Sequence, residues 1–146
     1  MFIGKYFKKI KPEFRKHYFS GISFNSQLCK KNNIFFSIKG NDIDGNKFIS
    51  HAISNGAKTI IYNKKFQGFK NGVLYLRFKN VRKILAELSH KIFYSKQNNL
   101  IAVTGTNGKS SIADFYYQIL KLNNKRVASI GTLGVKSDSL NLDLSN

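Results

Sequence analysis

Residues 103 to 111, Val-Thr-Gly-Thr-Asn-Gly-Lys-Ser-Ser, gather the residue types that bind phosphate. Gly105 and Gly108 let the backbone curl so that N–H groups point inward, and Lys109 adds a full positive charge. The apolar run Leu100 to Val103 lies in front, and apolar residues recur at helical spacing behind, from Ile112 to Leu120. The loop is therefore expected between a strand and a helix N-terminus, whose partial positive charge favours anions. Ser110, next to the lysine, stands where a hydroxyl can ligate Mg²⁺, and Ser111 supplies a second hydroxyl. The commonest glycine-loop pattern needs a further glycine at 103, where this chain has Val103. Two isolated glycines can also make a plain turn. The strand, the lysine, the two hydroxyls and the amphipathic helix together favour phosphate.

The elements that must position this loop follow from periodicity and punctuation. Phe2, Ile3, Tyr6, Phe7 and Ile10 have near-helical spacing before Pro12, which predicts a short amphipathic helix packed on its own domain. A membrane-surface helix is the sharper alternative. Residues 20 to 31 are polar and loop-like, and 34 to 38 read as a buried strand. A Gly/Asp-rich turn over 39 to 45 leads to a helix over 46 to 55, with Gly56 as its C-cap. Strands follow at 59 to 62 and 73 to 76. Residues 80 to 95 carry Val81, Ile84, Leu85, Leu88, Ile92 and Phe93 on one helical face, with Asn80 placed to cap it.

Residues 95 to 99 contain no apolar side chain, which sets an expected boundary between a domain at 1–97 and a second region at 98–146. Beyond it the order is strand (100–103), loop, helix to about 123, strand (126–130) and Gly131-Thr132-Leu133-Gly134. That order predicts the start of a parallel α/β sheet with the loop at the carboxyl end of its first strand. Two strands and one helix cannot cover both faces of such a sheet. Residues 98–146 are thus expected to be an incomplete domain, poorly stable alone, while 1–97 folds.

Lysine and arginine total 25 against 7 acidic residues, a net charge of +18. The lysines are scattered singly or in pairs, arginine occurs only at 15, 77, 82 and 126, and no arginine-rich helix appears. This favours a compositional bias, or attraction of small anions, over nucleic-acid binding, which is the alternative from a different class. No apolar run reaches membrane-spanning length and the N-terminus lacks a signal-peptide core, so a cytoplasmic protein without a membrane partner is expected. Cys29 is the only cysteine, which excludes an internal disulfide and argues against structural zinc. His17, His51 and His90 have no partners at ligand or triad spacing and read as surface residues.

On these residues the chain resembles the Mur ligases of peptidoglycan synthesis, and among them the ligases that add the third peptide residue. Thr104-Gly105-Thr106-Asn107-Gly108-Lys109-Ser110-Ser111 is similar to the family's ATP loop, with two serines where two threonines are usual. Ser26 matches the serine of its uridine-site motif, residues 34–40 its core strand, and Asp44-Gly45, Phe48-Ile49, Ala52-Ile53 and Gly56-Ala57 the following turn and helix. Gly131 to Gly134 resembles the segment after its second central strand. Asn25 and Gln27 stand where the family usually has Asp and Arg, and Asn46 where it commonly has histidine.

The resemblance implies a small α/β substrate domain followed by the truncated start of a parallel-sheet ATP-binding domain. It implies that Gly105, Thr106, Asn107, Gly108, Lys109, Ser110 and Ser111 bind ATP, that Lys109 is catalytic, and that Ser110 helps hold Mg²⁺. Phe24, Ser26, Asn41, Asp42 and Ile43 would bind the uridine diphosphate end of UDP-N-acetylmuramoyl-L-alanyl-D-glutamate. The implied reaction is ATP-dependent amide formation through an acyl phosphate, joining diaminopimelate or lysine, by a monomer. The chain itself is expected to be an inactive N-terminal fragment, its amino-acid-binding residues lying elsewhere. Folylpolyglutamate synthase has a similar loop and is the alternative ligase, disfavoured by the uridine-site region before the loop.

Overall fold

The computed structural model describes residues 1–40, 43–94 and 99–142, which form two compact units, Met1–Ser95 and Lys96–Asn146. The expected boundary at 97/98 lies outside the described residues.

The first unit is built on a five-stranded sheet in the order β1-β2-β3-β5-β4. β1 (Ile22–Ser23), β2 (Ile34–Phe36), β3 (Thr59–Tyr62) and β5 (Val73–Arg77) run parallel, and β4 (Gly68–Lys70) pairs antiparallel with β5 at the edge. Every residue of β2 and β3 is buried, as a parallel sheet covered on both faces requires. Alternation sends Ile34 and Phe36 to one face, with Ile61, Leu74 and Leu76. Ile3, Phe14, Phe19 and helix α3 (Val81–Ile92), through Val81 and Leu88, cover that face. Phe35, Ile60, Tyr62 and Val73 point the other way, against Ala52 of helix α2 (Ile49–Ser54), Ala57 and Cys29.

Local chemistry sets the ends of these elements. The Asn80 side chain accepts from the Lys83 N–H at 2.9 Å and caps α3, as its position predicts. Gly56 adopts φ +103 and donates to the Ile53 carbonyl, while Ala57 donates to that of Ala52. That reciprocal pair is a Schellman C-cap, which needs the left-handed residue that glycine supplies. The expected helix over 46–55 is split into a 3-10 turn at Gly45–Phe48, capped by Asp44, and the shorter α2.

Two expectations in this unit change. The N-terminal helix is only four residues, α1 (Ile3–Tyr6), because Phe2 bridges Tyr18 and the chain doubles back on itself. Ile3 and Ile10 enter the core, so this segment packs on its own unit. The loop between the strands at 59–62 and 73–77 contains the extra strand β4, joined to β5 through Asn71 (φ +50) and Gly72 (φ +74). Asn-Gly with both residues at positive φ is the favoured two-residue hairpin turn, a signal already present in the sequence.

The second unit contains helix α4 (Lys109–Leu122) and an antiparallel sheet of β6 (Ala128–Gly131), β7 (Gly134–Ser137) and β8 (Asn141–Leu142). Residues 100–103 do not form the expected strand, and Leu100 is 92% exposed. A strand exists only through bonds to a neighbour, and no described residue pairs with this run; β6 instead turns through Thr132-Leu133 and pairs with β7. Among the described residues the sheet of this unit is antiparallel, and the parallel sheet lies in the first unit.

Candidate functional site: a glycine loop and a strand-end cluster

The glycine loop leads directly into α4. Gly105 has φ +152 and Gly108 φ +76, and Gly108 is the residue from which the helix starts. An added Cβ on Gly108 would meet nothing within 4 Å, so glycine there serves conformation rather than space. No side chain caps α4, and its first-turn N–H groups stay available to an anion. The Lys109 ammonium folds back on the loop, 2.5 Å from the Gly105 carbonyl and 3.0 Å from that of Thr106. Thr106, Asn107, Ser110 and Ser111 are exposed around it. A bare helix N-terminus, a cation held within the loop and two hydroxyls fit a phosphate chain.

Ser110 Oγ lies 3.1 Å from Thr132 Oγ1, in the turn between β6 and β7. Thr132 was not among the predicted site residues, and only the antiparallel hairpin brings it to the loop. Asp114, one turn along α4, binds Lys136 Nζ at 2.7 Å and Gln118 Nε2 at 2.6 Å. The lysine bond, then the glutamine bond, hold its carboxyl below the usual range, so it stays ionised but committed. Among the described residues no three His, Cys, Asp or Glu side chains group to hold a metal ion. A Mg²⁺ ion beside the loop could take the exposed Ser110 hydroxyl as one ligand.

The remaining predicted residues lie in the first unit, at the carboxyl ends of β1 and β2. Phe24 is 68% exposed directly after β1, and Ile43 is exposed in the loop after β2; Asn41 and Asp42 lie outside the described residues. This loop is drawn closed by bonds from Gly40 N–H to the Ile43 carbonyl and from Gly45 N–H to that of Ile38. Inside its base, Ser37 Oγ donates to Asn46 Oδ1 at 2.9 Å and Asn46 Nδ2 donates to Asp44 at 2.7 Å. Hydrogen bonds from the Asn46 backbone and side chain keep the Asp44 carboxyl below its ordinary range.

Ser26 is 7% exposed and starts a 3-10 turn that Asn25 caps by accepting from the Gln27 N–H at 2.9 Å. Asn25 thus performs the turn-closing role open to an aspartate at this position, without its charge. The Ser26 hydroxyl sits 3.0 Å from His51 Nδ1, and Asn55 Nδ2 donates to the Ser26 carbonyl at 2.9 Å. His51 is thus not partnerless. The spacing of 51 and 55 puts both on one face of α2, but that this face meets Ser26 is a tertiary fact.

A family model described as "Mur ligase family, catalytic domain" matches residues 18–93, just over half of the chain, all within the first unit and before the glycine loop. The chain is 42% identical over 127 residues to the UDP-N-acetylmuramoyl-L-alanyl-D-glutamate--2,6-diaminopimelate ligase of Rickettsia montanensis, covering 87% of this chain and 26% of that protein. It is 37% identical over 131 residues to the corresponding ligase 2 of Clostridium acetobutylicum, covering 86% and 27%. The chain therefore spans about a quarter of the length of these curated relatives. Among solved structures, MurF ligase from Thermotoga maritima in complex with ADP aligns with TM-score 0.57 and 30% identity over 72% of this chain and 23% of that one. A UDP-N-acetylmuramoyl-L-alanyl-D-glutamate--2,6-diaminopimelate ligase aligns with TM-score 0.68 over 94% of this chain and 29% of that one, and at 23% identity it supports the fold alone. Family model, sequence relatives and fold agree, and the chain belongs to the Mur ligase family.

Proposed function

We propose that the chain is the front part of an ATP-dependent ligase that joins diaminopimelate to UDP-N-acetylmuramoyl-L-alanyl-D-glutamate. The observation that carries this reading is the Lys109 ammonium folded into a glycine loop at the uncapped N-terminus of a 14-residue helix. The names of the relatives favour diaminopimelate over lysine as the amine. In this reading the α4 N–H groups and Lys109 bind the phosphates of ATP and stabilise charge on the phosphoryl group as it moves to the substrate carboxylate. The Ser110 hydroxyl holds Mg²⁺ against those phosphates. Gly105 and Gly108 keep the backbone close to the ligand, and Thr106, Asn107 and Ser111 line it. Phe24, Ser26, Asn41, Asp42 and Ile43 bind the uridine end, Phe24 offering a ring face and Ser26 a hydroxyl.

The test is nucleotide binding to the chain and turnover by a longer ligase that contains it. With a fluorescent ATP analogue and Mg²⁺, Lys109→Ala should weaken binding to the chain at least tenfold. In the longer enzyme it should cost about 3 kcal/mol of transition-state stabilisation, on the scale of one lost oxyanion donor. Unchanged binding and turnover would remove Lys109 from the site. Phosphate release that depends on the UDP-muramoyl dipeptide but not on diaminopimelate would reject the amine assigned.

A further inference from the structure

The chemistry around Ser26 is more specific than a serine in a turn. Asn55 Nδ2 donates to the Ser26 carbonyl at 2.9 Å, which fixes the orientation of its amide, since the reversed amide would set oxygen against oxygen. The same nitrogen lies 3.4 Å from His51 Nε2. An amide NH₂ carries two hydrogens and accepts nothing, so Nε2 must be the acceptor of that pair. In a neutral imidazole the proton then resides on Nδ1, which lies 3.0 Å from Ser26 Oγ. Nδ1–H donates and Oγ accepts. The hydroxyl proton of Ser26 is left without an acceptor among the described residues, on a side chain whose residue is 7% exposed.

We propose that His51 and Asn55 are positioning residues that fix Ser26 as a hydrogen-bond donor to an acceptor oxygen of the ligand, a uracil carbonyl or a phosphate oxygen. The ligand half of this inference rests on the uridine-site reading above; the proton placement does not. Asn55 sets the tautomer, His51 spends its single N–H on Oγ, and the Ser26 O–H is left for the ligand. A ligand acceptor pairs the free Ser26 proton, whereas a group that can only donate leaves that proton unpaired, so the cluster favours acceptors.

Two measurements on the 146-residue chain decide it. Long-range ¹H–¹⁵N correlation of the histidine side chains at neutral pH should find His51 as the Nδ1–H tautomer in the wild type, and Asn55→Ala should return it to Nε2–H. A wild-type ring already protonated on Nε2 overturns the proposal without any variant. UDP titration followed by NMR should show Ser26→Ala and His51→Ala each weakening binding about five- to tenfold, the double variant no further, and His51→Gln, which can still donate to Oγ, restoring most of it. Additive losses, or His51→Ala binding UDP like wild type while Ser26→Ala does not, overturn the positioning role. Parallel titrations with uridine and with inorganic pyrophosphate identify the acceptor: the one whose binding responds to His51→Ala carries it. If wild type binds none of the three, the uridine-site reading falls, and the tautomer alone then decides whether His51 and Asn55 orient Ser26.

Discussion

Single atoms set several tolerances in this chain. A Cβ on Gly45 would come within 2.5 Å of the Ile38 carbonyl oxygen and 2.7 Å of its nitrogen, both rigid backbone. Gly45→Ala should therefore destabilise the first unit by about 1–3 kcal/mol, the usual cost of forcing extra volume into a packed site. Chemical denaturation would show it, and an unchanged midpoint would mean that the loop after β2 yields freely. His17 is a second case. Burial pushes its imidazole below the ordinary value of about 6.5, the Lys58 backbone partly opposing, and its Nε2 has no partner among the described residues. The unfolded chain takes up a proton near 6.5 while the folded chain resists until lower pH. Stability is thus full above about pH 6.5 and declines below it. His17→Phe, which keeps a ring against Phe69, should flatten the change in denaturation midpoint between pH 7 and 5. Asp44 and Asp114, both held below the usual carboxylate range, titrate under that window.

At the scale of elements, the two longest helices differ at their N-termini. α3 depends on Asn80, whose side chain satisfies one of the N–H groups that a helix start leaves unpaired. Asn80→Ala should cost about 1 kcal/mol, and Asn80→Ser much less, because the serine hydroxyl can accept the same bond. Equal losses for both would show that Asn80 acts through something other than capping. α4 is the opposite case. It starts from Gly108 with no side-chain cap, so its free N–H groups and Lys109 remain for a ligand rather than for stability. The missing cap is a local departure from what stabilises a helix, and such departures concentrate where a chain binds.

For the whole molecule, the two units differ in how well they seal apolar surface. The first closes two clusters on opposite sheet faces. In the second, Tyr117 is the buried hydrophobic residue among those described, while Ile112, Phe115, Ile119 and Ile130 are exposed and Leu122 is 83% exposed. Each large apolar side chain left in water forgoes about 1.5–3 kcal/mol of burial. Urea denaturation of the chain should consequently resolve two transitions, the second unit melting first and the first unit later and more cooperatively. Coincident transitions by tyrosine fluorescence and by amide exchange of the two segments would contradict this. Among the described residues no helix is long and apolar enough to cross a membrane.

Sequence alone determined what depends on neighbours in the chain. Periodicity carried α3, the glycine-lysine-serine spacing carried the loop, and continuous apolar runs carried β2 and β3, because caps, glycine conformations and parallel-strand burial are written into short stretches. The family followed from two such motifs in order. Asn71-Gly72 was legible as a hairpin turn and marks β4, although the expected strands omitted it. Tertiary structure decided what depends on partners distant in sequence. Residues 100–103 are apolar enough for a strand, yet a strand needs a second backbone, and none of the described residues provides one. Thr132 reaches Ser110 because β6 folds back on β7, and His51 and Asn55 reach Ser26 because α2 packs beside the turn after β1. Spacing can place two residues on one face of a helix, but only packing chooses what that face meets.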